Sequence, residues 1–486
     1  TGFGALAEVA IPGDQLAALQ VNLLRSHAAG VDEPLSVPEV RAVMTLRANV
    51  LARGCSGIRL STLEALIALL NHGIHPRVPS RGSVGASGDL APLAHLALVL
   101  IGEGDVLGGN PSAEGFAQKG DGPRPVENSR GFASPDAPEF STGRHPSPFV
   151  PGLRALEAAG LSPVTLGPKE GLALINGTQA STGVLALAVL RAARLARAAD
   201  IAAALSVDAL RGSMGPFDAR IHDARPVPGQ QASAANFRAL LEGSAINASH
   251  ADCGKVQDAY ALRCAPQVHG SAREAIAFAH RLASIEANAA TDNPMVFAEE
   301  GDIVSGGNFH GAPIALAADT LSIGLAQLAT ISERRTDRMM TPHESGLPAF
   351  LIRDSGLNSG LMMAHVTAAA LTSEIKGLAW PAAVDTIPTS AGREDHVSMS
   401  MGAALKVARI ATLVSRVLAI EVLAATQAID LLAPLTTAPP LQRAHAAVRS
   451  VVPMLTVDRS PAPDIESISM LISDGSLERA CALQFL

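Results

Sequence analysis

The sequence predicts an all-α protein, on three observations. Aromatic residues make up only 3% of its 486 positions while alanine and leucine abound, a balance that suits helices packed closely through small side chains better than sheets. Apolar residues recur with helical spacing over long stretches of the second half. With 48% of positions hydrophobic, the chain can bury a large core.

From the N-terminus, the chain opens at Thr1-Gly2-Phe3-Gly4, with no basic segment ahead of an apolar one, so no secretory signal is expected. The run Arg81-Gly82-Ser83-Val84-Gly85-Ala86-Ser87-Gly88-Asp89-Leu90-Ala91-Pro92-Leu93 follows. Its glycines at 82, 85 and 88 force a tight backbone. Asp89 is a natural N-cap, Pro92 is tolerated in a first turn, and Leu93 through Ile101 continue as an apolar helix. The Ala86-Ser87-Gly88 turn is thus expected at a helix N-terminus, where free N–H groups favour electron density developing nearby.

Residues 108–152 are crowded with Pro, Gly and Ser and show no periodicity, so they read as a disordered surface insertion, with a functional lid as the alternative. The domain expectation is therefore an N-terminal part (1–107), the insertion (108–152), and a helical bundle with C-terminal helices (153–486) forming one catalytic unit. The uncharged stretch 171–190 approaches membrane-spanning length. It carries Asn176, Thr178, Gln179, Ser181 and Thr182, and so reads as a buried core helix. Residues 273–290 and 311–340 have helical periodicity. In the last long helix Leu405, Ile410, Leu413, Val414, Val417 and Leu418 share one face, opposite Lys406, Arg409 and Arg416. Long helices with short polar connections imply an extended central bundle with mostly antiparallel neighbours.

The formal net charge of -8 is spread without a basic block, which excludes the footprint of a nucleic-acid binder; no membrane association is expected either. The four cysteines, Cys55, Cys253, Cys264 and Cys481, have neither CxxC spacing nor disulfide density, so a reducing cytoplasm is the simplest compartment.

Several further motifs stand in order: Leu174-Ile175-Asn176-Gly177-Thr178-Gln179, Gln257-Asp258-Ala259-Tyr260-Ala261-Leu262-Arg263-Cys264, Thr291-Asp292-Asn293-Pro294, Gly306-Gly307-Asn308-Phe309-His310 and Glu394-Asp395-His396-Val397-Ser398-Met399. Together with the Ala-Ser-Gly turn they resemble, through nearly the whole chain, the aromatic amino-acid ammonia-lyase family, and its histidine branch most. The resemblance implies an all-α, ammonia-lyase/fumarase-like bundle. It also implies an autocatalytic electrophile, 4-methylidene-imidazol-5-one (MIO), made when the Gly88 nitrogen attacks the Ala86 carbonyl and Ser87 is dehydrated. Neither a metal nor a diffusible cofactor is implied.

Carried over from the family, Asn176 and Tyr260 would support the MIO, Arg263 would clamp the substrate carboxylate, Gln257 would hold the amino-acid end and Phe309 would line the pocket. Glu394 would contact the amino or side-chain end. After Asn22-Leu23-Leu24-Arg25, the pair Ser26-His27 resembles the histidine-specific pattern, so His27 would join Glu394 in recognising an imidazole. The implied reaction is conversion of L-histidine to trans-urocanate and ammonia by a homotetramer whose sites draw on several subunits. Phenylalanine or tyrosine ammonia-lyase and a 2,3-aminomutase remain open within the family, and a non-catalytic homologue outside it. In the family the β-proton base is usually a tyrosine shortly before the Thr-Gly-Phe-Gly motif; here the sequence opens at that motif and Tyr260, its only tyrosine, matches another role, so the expectation is either a piece of a longer protein or a silent relative. Ala379-Trp380-Pro381 and Gly392-Arg393 depart from the family pattern, as does Gly311-Ala312 after His310, and Arg393 is placed to pair with Glu394 and blunt its charge.

Overall fold

The computed structural model describes residues 4–108, 149–251, 253–254 and 256–486. Its centre is a bundle of long helices, Gln179–Ala209, Ala265–Ala287, Ala312–Met340, Met362–Leu378 and Ser400–Leu431, with helix 312–340 packed against the other four. Small residues let these axes approach: a β-carbon on Gly324 would come within 2.7 Å of the Ala275 methyl across the contact between helices 312–340 and 265–287. Periodicity reads the last long helix correctly, since Ile410, Leu413, Val414, Val417 and Leu418 are buried while Arg409 is exposed.

Two groups of paired charges are buried inside the bundle. The Arg335 guanidinium, fully buried, donates through Nε and Nη2 to both oxygens of Glu421 at 2.5 and 3.0 Å, and Ser206 Oγ donates to the same carboxylate at 2.7 Å. Nearby, Asp200 accepts from Arg273 at 2.6 Å and from Asn236 at 2.8 Å, and its other oxygen meets His269 Nδ1 at 2.7 Å. Removing one partner from either group would leave a charge in the core.

In the N-terminal part, helices Val37–Ala52 and Leu90–Leu100 pack on Gln179–Ala209, while Leu60–Asn71 packs on Val37–Ala52 and Leu16–His27 on Leu90–Leu100. Among the described residues, three antiparallel strand pairs stitch the connections. Val31–Pro34 pairs with Pro79–Arg81, Asp105–Leu107 with Phe149–Pro151, and Met295–Phe297 with Asp302–Val304. The second pair places Phe149–Pro151, followed directly by helix Gly152–Ala158, in the folded body, so the end of the span expected to be unstructured is ordered. The rest of that expectation, residues 109–148, lies outside the described residues.

Helix Ala312–Met340 is long and apolar enough to cross a membrane by length and composition alone, and 67% of its most apolar window is buried within the fold, as a core helix requires. The stretch 171–190 divides into helix Glu170–Ile175 and the start of Gln179–Ala209 and is mostly buried. All four cysteines are free.

Candidate active site

The Ala86-Ser87-Gly88 turn lies where three remote segments meet. Gly88 pairs with Gly177 in a parallel bridge, and the Asp89 amide donates to the Gly177 carbonyl at 2.7 Å. Asn176 Nδ2 donates to the Ser87 carbonyl at 3.0 Å. From the opposite side, Ser398 Oγ donates to the Gly85 carbonyl at 2.9 Å and the Met399 amide to the Val84 carbonyl at 2.7 Å. Ala86 and Gly88 are buried while Ser87 is half-buried, so the flanks are fixed and the central side chain is reachable.

Glycine at 88 is required twice over. Its φ is +74°, in the left-handed region, and a β-carbon there would lie 2.3 Å from the Gly177 carbonyl oxygen. Main chain meets main chain with nothing between them.

Asp89 sits at the N-cap position of Leu90–Leu100 but makes no side-chain bond to that helix, which corrects the capping role expected from sequence. Its carboxylate instead accepts from the Ser181 amide at 2.7 Å and Ser181 Oγ at 2.8 Å, in the first turn of Gln179–Ala209, and from Ser83 Oγ at 2.9 Å. It caps the neighbouring helix and ties the turn to it. Burial pushes the Asp89 carboxyl up, against the lowering effect of these donors. Two helix N-termini therefore face the turn.

Beneath the turn lies a residue that sequence reasoning missed. Arg47, fully buried on helix Val37–Ala52, donates to the Asn176 carbonyl at 3.1 Å, to Gln179 Oε1 at 2.5 Å and to the Ala173 carbonyl. Gln179 Nε2 in turn donates to Thr291 Oγ1 at 2.6 Å, and Asp292 lies 3.9 Å from Arg47 and 3.5 Å from Lys169. Burial lowers the Arg47 guanidinium to about 10, opposed by the Asp292 charge. The 174–179 and 291–294 motifs are thus two halves of a cradle around one arginine. An arginine inside the otherwise ordinary helical run 37–52 gave no signal beyond its place on the apolar face.

Glu394 reaches the turn from the other wall. Ser87 Oγ donates to its Oε1, and Thr389 Oγ1 donates to its Oε2 at 2.5 Å. The backbones of Thr389 and Glu394 pair across a turn in which Ser390, Ala391 and Gly392 all have positive φ. Non-glycine residues are rarely held there, and clusters of them mark sites where side-chain placement matters. Arg393 turns away and pairs with Glu8 at 3.3 Å, so the expectation that it would pair with Glu394 is wrong. A turn this tight points consecutive side chains in different directions. Asn176 Oδ1 is buried beside the turn with no hydrogen-bond partner among the described residues.

The other sequence candidates are not brought to Ser87. Tyr260 and Arg263 occupy the short helix Tyr260–Arg263, where the guanidinium lies 4.6 Å from the tyrosine ring centre; Tyr260 is 70% exposed, and Gln257 is exposed just before it. The Arg263 Nε is buried without a partner among the described residues. Among those residues, no hydrogen bond or ion pair links 257–263 to the Ala-Ser-Gly turn within one chain. The segment is tied to the body of the fold elsewhere: the Ala261 carbonyl accepts from Arg335 Nη1 at 3.3 Å, Asp258 accepts from the Ser213 amide at 2.7 Å, and Leu262 is buried. Phe309 is half-buried two residues before Gly311, whose amide approaches the Gly85 carbonyl at 3.5 Å. His27 ends the helix Leu16–His27 with its Nδ1 turned back to the Leu23 carbonyl at 2.9 Å, the geometry of a helix-end histidine.

Comparison with known proteins places this arrangement. A family model described as aromatic amino acid lyase matches residues 1–450. A histidine ammonia-lyase of Anaeromyxobacter sp. (strain K) is 54% identical over 480 residues, covering 98% of this chain and 89% of that protein. One from Aromatoleum aromaticum is 50% identical over 485 residues, covering 100% and 85%. Among solved structures, histidine ammonia-lyase from Trypanosoma cruzi matches with a TM-score of 0.83 at 42% identity, over 97% of this chain and 83% of that one. Tyrosine aminomutase from Streptomyces globisporus matches with a TM-score of 0.87 at 38% identity, over 100% and 89%. With the family model spanning most of its length and half of its residues shared with such relatives, this chain belongs to the aromatic amino acid lyase family.

Proposed function

We propose that this protein is a histidine ammonia-lyase, a carbon–nitrogen lyase converting L-histidine to trans-urocanate and ammonia. The observation that carries the reading is the Ser87 of an Ala-Ser-Gly turn held between Asn176 and Glu394, in a chain sharing about half its residues with proteins of that name.

The residues present fit an MIO built from Ala86-Ser87-Gly88. Gly88 has no side chain to obstruct the approach of its nitrogen, the flanks are immobilised by backbone bonds, and Asn176 Oδ1, without a partner among the described residues, offers an acceptor beside the turn. When formed, that group supplies an electrophile that makes the substrate amine a better leaving group. Asn176 and Tyr260 are proposed as its supports.

The chain's own side chains do the rest. Arg263 suits a bidentate grip on the substrate carboxylate, and its buried Nε, without a partner among the described residues, is a donor in need of an acceptor. Gln257 would hold the amino-acid end, Phe309 would line the pocket near the MIO, and Glu394 would contact the amino or side-chain end. Holding these groups in register converts the elimination into a unimolecular problem. His27 is retained as a contributor to imidazole recognition through the ring edge away from Leu23.

The separation of 257–263 from Ser87 within one chain supports sites shared between subunits, as in the proposed homotetramer. Exposed apolar residues including Val256, Tyr260, Ile323, Met363 and Val366 would be covered by neighbouring copies. The free cysteines and dispersed negative charge support a cytoplasmic place.

Likeness to a tyrosine aminomutase over the whole chain favours, as second reading, an enzyme acting on tyrosine or phenylalanine, with or without return of the ammonia. Intact mass and product analysis test both. The lyase reading expects loss of two waters from the native chain and urocanate from histidine. An unmodified mass in folded protein, with no deamination of any aromatic amino acid, would end it.

A further inference from the structure

Glu394 has a second relationship to the turn, independent of any substrate. We propose that Glu394 is the proton carrier for dehydration of Ser87, so that one carboxylate first completes the electrophile and afterwards serves the substrate. The proposal rests on the reading of Ala86-Ser87-Gly88 as the precursor of the MIO.

The geometry is specific. Ser87 Oγ, the oxygen that must leave, donates its hydrogen to Glu394 Oε1, and the remaining oxygen of that carboxylate is pinned by Thr389 Oγ1 at 2.5 Å. The turn behind Glu394 is closed by reciprocal backbone bonds between residues 389 and 394, at 3.0 and 3.4 Å, and runs through left-handed Ser390 and Ala391. Asp89 is a second carboxylate beside the turn. It is buried and committed to Ser83 and Ser181, which leaves Glu394 as the acid–base group in contact with the leaving oxygen.

The chemistry balances without an added reagent. Ring closure joins the Gly88 nitrogen to the Ala86 carbonyl carbon and releases that carbonyl oxygen as water, with the protons of the Gly88 and Ser87 amides. In the second loss the Ser87 Cα–H pair becomes the Cα–Cβ double bond while the Cβ–Oγ bond breaks with its electrons on oxygen. Glu394 takes the α-proton and delivers it to the departing Oγ, which leaves as water, and the carboxylate ends as it began. A hydroxide is a poor leaving group unless protonated as it goes, which is why a positioned carboxyl matters here.

Intact mass of freshly purified, denatured chains, followed with time and localised on the peptide holding residues 82–100, tests this. Wild type is expected to lose two waters. Glu394→Gln, which can still accept the Ser87 hydrogen bond but cannot carry the proton, should stall with the Ser87 oxygen retained, slowing its loss roughly a hundredfold. Glu394→Asp should recover part of the rate, and Thr389→Val should slow it several-fold by freeing the carboxylate. Two-water loss in Glu394→Gln at the wild-type rate would overturn the proposal and leave the lyase reading intact. An unmodified wild type would instead sink both. Glu394→Gln preserves shape and polarity, so the test survives even if Glu394→Ala fails to fold.

Discussion

The buried guanidinium of Arg47 donates to the backbone carbonyl of Asn176 at 3.1 Å, so the residue whose amide holds Ser87 is itself held from below by a charge with no access to water. Replacing Arg47 by methionine leaves Asp292 short of a partner and strips donors from three acceptors. We expect a loss of about 3–5 kcal/mol in urea unfolding and a lower fraction of dehydrated Ser87. A cost under 1 kcal/mol would mean that the cradle does not depend on this charge.

Glu170 gives the stability a pH signature. Burial alone would raise its carboxyl, but bonds from the Arg59 side chain and amide, the Gly167 amide and Thr62 outweigh that and bring it down to about 2. A depressed carboxyl stabilises the fold above its unfolded value of roughly 4.3 and loses that contribution as pH falls through the folded value. Arg59 is half exposed, which moderates the effect to about 2 kcal/mol. Glu170→Gln should be less stable than wild type at pH 6 and converge with it towards pH 2. Equal gaps at both pH values would contradict this.

Gly88→Ala would put a β-carbon 2.3 Å from the Gly177 oxygen on a left-handed backbone. Retention of both waters in the intact mass is the expected result. Normal maturation of this variant would show that the turn has more room than the structure gives it.

Strands Asp105–Leu107 and Phe149–Pro151 are antiparallel partners, with Leu107 opposite Phe149. Their adjoining ends can therefore be joined by a short Gly-containing hairpin turn in place of residues 109–147. Helical circular dichroism and oligomeric state should be unchanged. Loss of assembly on sizing would assign the segment an interface role.

Histidine should exceed phenylalanine in kcat/KM by roughly a hundredfold, because an apolar ring offers no hydrogen bond to Glu394 or to the ring edge of His27 that faces away from Leu23, and should also exceed tyrosine. Steady-state assays of the three amino acids decide it. Faster turnover of tyrosine would favour the aminomutase-like reading and assign the change to Trp380 or Arg393.

Much of this was legible in the sequence, for identifiable reasons. Helical spacing exposed the bundle because each buried face repeats locally, as Ile410 to Leu418 illustrate. The Ala-Ser-Gly turn was visible through its glycines, which the backbone demands. Asp89 looked like the cap of its own helix because local capping is the commoner use, whereas its partner Ser181 is 92 residues away. Arg47 and Asn176 are 129 residues apart and Ser87 and Glu394 are 307, distances at which no periodicity carries information. The pairing of Arg393 with Glu8 is legible only once a left-handed turn has rotated neighbouring side chains apart.

The crossing of Gly88 and Gly177 sets a limit on how such a protein can diversify. Its walls are peptide groups, which exchange of side chains cannot move closer or further apart, so the part that makes the electrophile offers selection no graded adjustment. Across the cleft, Thr389 and Glu394 are tied to the same task, but residues 390–393 between them lie on a loop and can be varied one at a time. New specificities in this scaffold should therefore arise by rebuilding one bank of the cleft while the other stays as it is.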